Sequence, residues 1–334
     1  MILGCDVGGT KTSVALFERR GDTLERTRME TYPSREHASL REIIDTFTGG
    51  SPARLDAAGV GVAGPVVNGH AHTTNLPWEV DASQLAEQLG LPSVTLINDL
   101  EAHAWAVERL GDADLDVLYD GAVSPQGTIA VIAAGTGLGF SALVRSGGVR
   151  VSLASEGGHA DFAAREEIEI RLLRHLAARF GHVSSERVLS GPGLRNIYEF
   201  LRDTGRGEEP AWLLEEMRTS DPSAVISAAG LSGRSALCQQ AMRMFIAIYG
   251  AESGNWALRT LATGGVYLGG GIAPKLFSRA SEQGALDARA IFLNGFHESG
   301  RMRPLLETMG VSVILHDQAA LLGAAYCASR TAGK

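Results

Sequence analysis

An amide and a carboxylate stand side by side at Asn98-Asp99. Before them lies a short apolar, β-branched run, Ser93-Val94-Thr95-Leu96-Ile97, of the kind that forms a buried strand. After them, Ala102, Trp105, Ala106, Arg109 and Leu110 recur at helical spacing. The pair therefore sits at a strand's carboxyl end, where open α/β sheets bind their ligands. Asp99 there can take a proton from a substrate hydroxyl while Asn98 hydrogen-bonds a neighbouring one. The competing reading is structural: aspartate at such a junction commonly caps the helix that follows.

Two glycine turns offer complementary chemistry. Ile2 to Cys5 is an apolar strand that reaches Asp6, turns at Gly8-Gly9 and continues as a second strand alternating Ser13/Ala15 against Val14/Leu16. Bare backbone N–H groups at such a turn can cradle phosphate oxygens, although two glycines also suit an ordinary hairpin. Thr10 and Lys11 add a hydroxyl and a cation, and Asp6 is placed to hold a magnesium ion through water. About 130 positions later the arrangement returns. Thr128 to Ala134 is apolar, Gly135-Thr136-Gly137-Leu138-Gly139 is the turn, and Phe140 to Val144 is apolar again. This duplication predicts two similar α/β domains with a ligand cleft between them, a nucleotide being held by a glycine turn from each side. A third glycine cluster, Gly269-Gly270-Gly271, lies between a strand and a helix start, where backbone can approach flat or anionic groups closely.

Loops supply the remaining polar groups. Glu156 and His159 flank two glycines and can accept and donate hydrogen bonds to adjacent sugar hydroxyls, or simply belong to a solvated loop. Glu186 is a further hydroxyl acceptor or a helix-terminal charge. Residues 73–78, with Trp78 reading as exposed, line a sugar pocket or form a surface turn. The stretch from Gly59 to Gly64 is formally G-x-G-x-x-G, but Pro65 and the turn-like Asn68-Gly69 follow instead of a helix, so a dinucleotide site is rejected. There is no P-loop and no H-E-x-x-H.

The elements that must position these groups read as follows. Residues 36–48 form an amphipathic helix through Leu40, Ile43, Ile44 and Phe47. Residues 111–127 are a Gly/Asp-rich connection, 204–222 a loop carrying one short helix, and helices cover 166–180, 194–202, 234–249 and 253–261. A strand at 311–315 and a helix at 317–330 close the chain. Its 334 residues suit about two domains, and 45% hydrophobic residues supply a full core. A net charge of −8 argues against nucleic acid or an anionic membrane as partner. Lys11, Lys275 and Lys334 are the three lysines, and Cys5, Cys238 and Cys327 are widely spaced, which gives neither a zinc site nor a disulfide framework. With no apolar run of membrane-spanning length and no leader-like start, a cytoplasmic protein is expected.

Taken in order, these motifs resemble the bacterial ATP-dependent glucokinases, the hexokinase-like branch of the actin/Hsp70/sugar-kinase superfamily. The matching stretches are Asp6-Val7-Gly8-Gly9-Thr10, Asn98-Asp99-Leu100-Glu101-Ala102, Gly135-Thr136-Gly137-Leu138-Gly139, Glu156-Gly157-Gly158-His159, Glu186 to Gly193 and Gly269 to Pro274. The resemblance implies a two-domain actin-like ATPase (ribonuclease H-like) fold. Its small α/β domain would comprise 1–108 plus 317–334 and its large α/β domain 109–316. It implies Asp99 as the base on the glucose 6-hydroxyl, and Asn98, Glu156, His159 and Glu186 as the hexose shell. ATP would lie on Cys5, Asp6, Val7, Gly8, Gly9, Thr10, Gly135, Thr136, Gly137, Gly269, Gly270 and Gly271, with Mg2+ at Asp6. Glucose and ATP would be the partners, and a homodimer is implied. Lys11 departs from the asparagine common in relatives. The related ROK family shares an E-x-G-H signature but adds a Cys-rich zinc motif that this chain lacks. Two other readings stay open: kinase activity on mannose or an N-acetylated hexosamine, and a sugar-sensing repressor. The repressor would want a helix-turn-helix ahead of the first strand, yet that strand begins at residue 2.

Overall fold

The structure, a computed structural model, describes residues 1–21, 23–49, 54–73, 76–277 and 285–331. The chain divides into two compact units. One comprises Met1–Leu115, Ser141–Ala154 and His316–Lys334, and the other Asp116–Phe140 and Ser155–Leu315.

The first unit opens with strands β1 (Ile2–Val7), β2 (Lys11–Arg20) and β3 (Thr23–Pro33). Helix α1 (Leu40–Thr48) starts where the Ser39 side chain accepts from Glu42 N–H and stops at Gly49 in left-handed backbone. Next come β4 (Ala57–Val62), then β5 (Val66–Val67), β6 (His70–His72) and β7 (Glu79–Asp81), which form a small ribbon. Helix α2 (Ala82–Leu89), β8 (Thr95–Asn98) and α3 (Asp99–Val107) follow.

Next in the chain run β9 (Leu115–Tyr119), β10 (Ile129–Ala134), β11 (Leu138–Ser146) and β12 (Val149–Ser155), of which Ser141–Ala154 belongs to the first unit. Helices α4 (Glu167–Phe180), α5 (Gly191–Asp203), α6 (Ala211–Thr219), α7 (Pro222–Leu231) and α8 (Ala236–Thr260) lead to β13 (Val266–Gly269). Then α9 (Ala273–Phe277), α10 (Ala288–His297), α11 (Arg303–Leu306) and β14 (Val311–Ile314) complete the second unit, and α12 (Ala319–Thr331) belongs to the first.

The duplication read from the sequence is a duplication of topology. One sheet has the order β3-β2-β1-β4-β8 and the other β12-β11-β10-β13-β14, with β9 added beyond β14. In the first sheet β1, β4 and β8 are parallel neighbours, so their carboxyl ends share one edge. In the second, β10, β13 and β14 are likewise parallel.

Alternation along β1 decides what faces what. Leu3, Cys5 and Val7 enter the cluster containing α1 residues Leu40, Ile43, Ile44 and Phe47. Burying each of those four α1 side chains is worth about 1.5–3 kcal/mol. Ile2 joins the opposite cluster, with Ala15, Phe17 and α12 residues Leu321, Ala325 and Ala328. On that side the helix lies directly on strand backbone: a Cβ at Gly59 would stand 2.0 Å from the Ala324 carbonyl oxygen. Gly59, the first glycine of the formal G-x-G-x-x-G, thus serves a helix–sheet contact, and Gly64, at φ +125°, serves the strand's exit.

Several expectations are corrected. The connection at 111–127 contains the edge strand β9. The single short helix expected in 204–222 is α6, with α7 starting at Pro222. The helices expected at 234–249 and 253–261 are one helix, α8, uninterrupted at Gly250 and Gly254 because α10 crosses there. A Cβ at Gly250 would meet the Phe292 carbonyl oxygen at 2.0 Å. Trp78 is buried, not exposed, with its indole N–H donating to the His37 carbonyl at 3.2 Å. Within the same loop Thr74 and Asn75 fall outside the described residues.

Candidate functional site

In the first unit the sequence-predicted groups collect at the carboxyl ends of β1, β4 and β8. Asn98 closes β8 opposite Val62, and Val62 in turn neighbours Val7. The junction into α3 shows which side chains cap the helix. The N-cap is Asn98: its Oδ1 accepts from Leu100 N–H at 2.8 Å, while Glu101 Oε2 accepts from Asn98 N–H at 3.1 Å, a capping box. Glu101 is buried, and its other oxygen accepts from the Ser152 hydroxyl at 2.7 Å. The Asn98 amide donates to the Gly64 carbonyl at 2.9 Å, tying β8 to the exit of β4. Asp99 is the first residue inside the helix, and its Oδ1 merely shares Leu100 N–H, at 3.0 Å. Helix capping is therefore assigned to Asn98 and Glu101, and the Asp99 carboxylate is not needed for it.

The electrostatics at this edge join three residues. Burial pushes the Asp99 carboxyl up to about 6; the nearby His103 opposes the rise and the Asp6 carboxylate adds to it. Burial also raises Asp6, against His103 and Lys11. His103, one helical turn beyond Asp99, places Nδ1 2.9 Å from the Asp99 carbonyl oxygen. It was not singled out from the sequence, although its i, i+4 spacing from Asp99 puts both on one helix face. Cys5 and Val7 flank Asp6 but send their side chains into the core, so at this edge they present backbone alone.

The turn after β1 is pinned from outside. Gly8 N–H donates to the Lys11 carbonyl at 3.0 Å, and the Ser34 hydroxyl donates to the Gly8 carbonyl at 2.8 Å. Thr10 and Lys11 are exposed, and Gly8 and Gly9 half-buried. Among the described residues no three His, Cys, Asp or Glu side chains gather as a metal cage. A single carboxylate at a strand end suits magnesium that arrives with its own phosphate and water ligands, not a resident all-protein site.

In the second unit four segments come together. Gly135 N–H donates to the Gly137 carbonyl at 2.9 Å, closing the turn between β10 and β11. The Gly269–Gly271 turn lies beside it, because β10 and β13 pair with Ala133 opposite Gly269. Gly270 takes left-handed backbone at φ +76°, and its missing Cβ is what lets it approach the Ala134 carbonyl. Thr136, Gly270 and Gly271 are exposed, so both turns present accessible backbone. The loop bearing Glu156 and His159 is a single tight turn, with His159 N–H donating to the Glu156 carbonyl at 3.0 Å. Both of those side chains are exposed, whereas Glu186 is half-buried and reaches the glycine turn: its Oε2 accepts from Leu138 N–H at 3.0 Å. The two polar loops are zipped by Ser185 N–H to the Ala160 carbonyl, 2.9 Å, and Phe162 N–H to the Val183 carbonyl, 3.0 Å. Helix α5 is anchored on the same turn by Gly191 N–H donating to the Gly135 carbonyl at 2.8 Å.

Two sheets of matching strand order, with a glycine turn after the equivalent strands β1 and β10, define a protein of the actin-like ATPase fold. Comparison with known proteins narrows that class. The glucokinase family model matches residues 3–331. A glucokinase of Nostoc sp. is 40% identical over 346 aligned positions, covering 99% of each chain. The crystal structure of a glucokinase from an Antarctic psychrotroph superposes with a TM-score of 0.86 at 29% identity, again over 99% of both chains. A ROK family glucokinase from Streptomyces griseus, solved with glucose and AMPPNP, shares the fold at a TM-score of 0.59 and 20% identity, over 98% of this chain and 99% of that one. The chain belongs to the glucokinase family.

Proposed function

We propose that this protein transfers the γ-phosphoryl group of ATP to the 6-hydroxyl of D-glucose, giving glucose 6-phosphate and ADP, with Asp99 as the general base. The observation that carries the assignment of Asp99 is the cap at Asn98. A carboxylate raised by burial, at the carboxyl end of parallel strands and released from capping, suits proton abstraction. Family membership supplies the substrate class, and the relatives' glucose and nucleotide-analogue complexes support both substrates.

A sugar hydroxyl is a weak nucleophile at neutral pH. Asp99 accepts its proton as the oxygen attacks the γ-phosphorus, the bond to the β–γ bridging oxygen breaks, and ADP leaves. The second unit holds the sugar: Glu156 and Glu186 accept from hydroxyls and His159 can donate or accept, while Asn98 serves the hydroxyl nearest the base. Backbone N–H groups of the turns at 8–10, 135–137 and 269–271 cradle phosphate oxygens, with Cys5 and Val7 contributing backbone. Asp6 would hold the magnesium ion that travels with ATP, through water. That ion, when bound, neutralises charge on the transferring phosphoryl group.

A cytoplasmic homodimer completes this reading, each protomer built of a small domain at 1–108 plus 317–334 and a large one within 109–316, from which residues 141–154 group with the small domain. Light scattering of the purified chain tests the dimer. A coupled assay of Asp99→Ala tests the base: turnover should fall on the order of a hundredfold or more, with the glucose KM changed by a few-fold at most. Near wild-type turnover would remove Asp99 from the role. Competitive kcat/KM values across glucose, mannose and N-acetylated hexosamines decide the sugar, and glucose is expected to lead.

A further inference from the structure

The glycine turn after β10 is the repeat of a phosphate cradle, yet two of its residues are engaged with the polar loops instead. Leu138 N–H, the donor a phosphate would otherwise find at the end of the turn, is held by Glu186 Oε2 at 3.0 Å. A Cβ at Gly137 would stand 2.7 Å from that same oxygen, so the glutamate occupies the space a side chain would fill. The carbonyl of Leu138 is covered from the other side: a Cβ at Gly158, between Glu156 and His159, would lie 1.9 Å from it. Leu138 itself is buried. One peptide segment thus touches both loops that carry the proposed hexose acceptors. By contrast, the space around a Cβ at Gly135 is open.

We propose that Gly137 and Leu138, besides belonging to the proposed phosphate turn, are positioning residues for the sugar: they orient Glu186 so that its second carboxylate oxygen is presented to a hexose hydroxyl. A carboxylate has acceptor sites on both oxygens, so one can be fixed by Leu138 N–H while the other serves the ligand. Such fixing removes rotamer freedom before binding and so favours the sugar. It also makes the turn a physical link between phosphate-side and sugar-side groups. This inference rests on Glu186 being a hexose acceptor, as proposed above.

The test is glucose binding without nucleotide, measured by calorimetry on Gly137→Ala, Gly135→Ala and Glu186→Ala. Neither glycine takes a positive φ, so alanine is compatible with the backbone at both. Gly137→Ala displaces the carboxylate and should weaken glucose at least tenfold. Gly135→Ala should leave glucose affinity unchanged. If Glu186→Ala weakens glucose but Gly137→Ala does not, or if Gly135→Ala weakens it as much as Gly137→Ala, the positioning role is overturned and Glu186 stays an acceptor. If Glu186→Ala leaves glucose affinity unchanged, the acceptor reading falls and this inference with it. Should Gly137→Ala not fold, hydrogen exchange of the wild-type protein decides. Glucose alone should slow exchange of the Leu138 amide, and an unchanged rate overturns the proposal.

Discussion

Asn98 and Asp99 are neighbours with opposite energetic roles. Replacing Asn98 by alanine removes the cap acceptor for Leu100 N–H and the bond to Gly64, and should cost about 1–2 kcal/mol in urea unfolding. Asp99 has the opposite sign. The folded protein holds its proton up to about pH 6, whereas an unfolded aspartate releases it near pH 4. The unfolded state therefore gains charge first, and the penalty is absent below about pH 4 and complete above about pH 6. Asp99→Asn should melt higher than wild type at pH 8 and equally at pH 4; equal shifts at both would refute the perturbed carboxyl. The same titration sets activity. With Asp6, His103 and Lys11 as the charges around this edge, kcat/KM for glucose should fall as pH drops through about 6.

At the scale of elements, the legible parts were those whose pattern is local. The period of Leu40, Ile43, Ile44 and Phe47 marks α1, and the β-branched run before Asn98 marks β8, because a core-facing stripe is written into consecutive residues. Strand β3 escaped notice because its eleven residues, Thr23–Pro33, are mostly exposed and charged at a sheet edge, so no apolar alternation is required. Which residue caps α3 stayed open in the sequence, since Asn98 and Asp99 are equally good caps; Asn98 and Glu101 in the cap are also tied to Gly64 and Ser152, which approach from distant parts of the chain. Glycines in the wrong place for propensity carry similar information. Gly323 lies inside α12, where alanine would ordinarily stabilise by about 1 kcal/mol. Here a Cβ would stand 1.7 Å from the Ala102 carbonyl oxygen of α3. Gly323→Ala should therefore destabilise by about 2 kcal/mol or more, reversing the propensity sign in a urea titration.

Across the whole molecule, the candidate groups are divided between the two units. Asp6, Asn98 and Asp99 belong to the first unit, with the turn at 8–10; the polar loops and the two remaining glycine turns belong to the second. The order of these motifs was readable and the resemblance also implied which of them share a domain, but Leu138's contacts with Glu186 and Gly158 were not, because they join segments distant in the chain. None of the described helices is long and apolar enough to cross a membrane.

Helix α12 completes the first unit's core through Leu321, Ala325 and Ala328, packed with Ile2, Ala15, Phe17 and Ala57. During synthesis this helix leaves the ribosome after every strand it covers and after the entire second unit. The amino-terminal sheet must wait, one apolar face bare, while the later-made unit can close first, reversing the usual N-to-C order of vectorial folding.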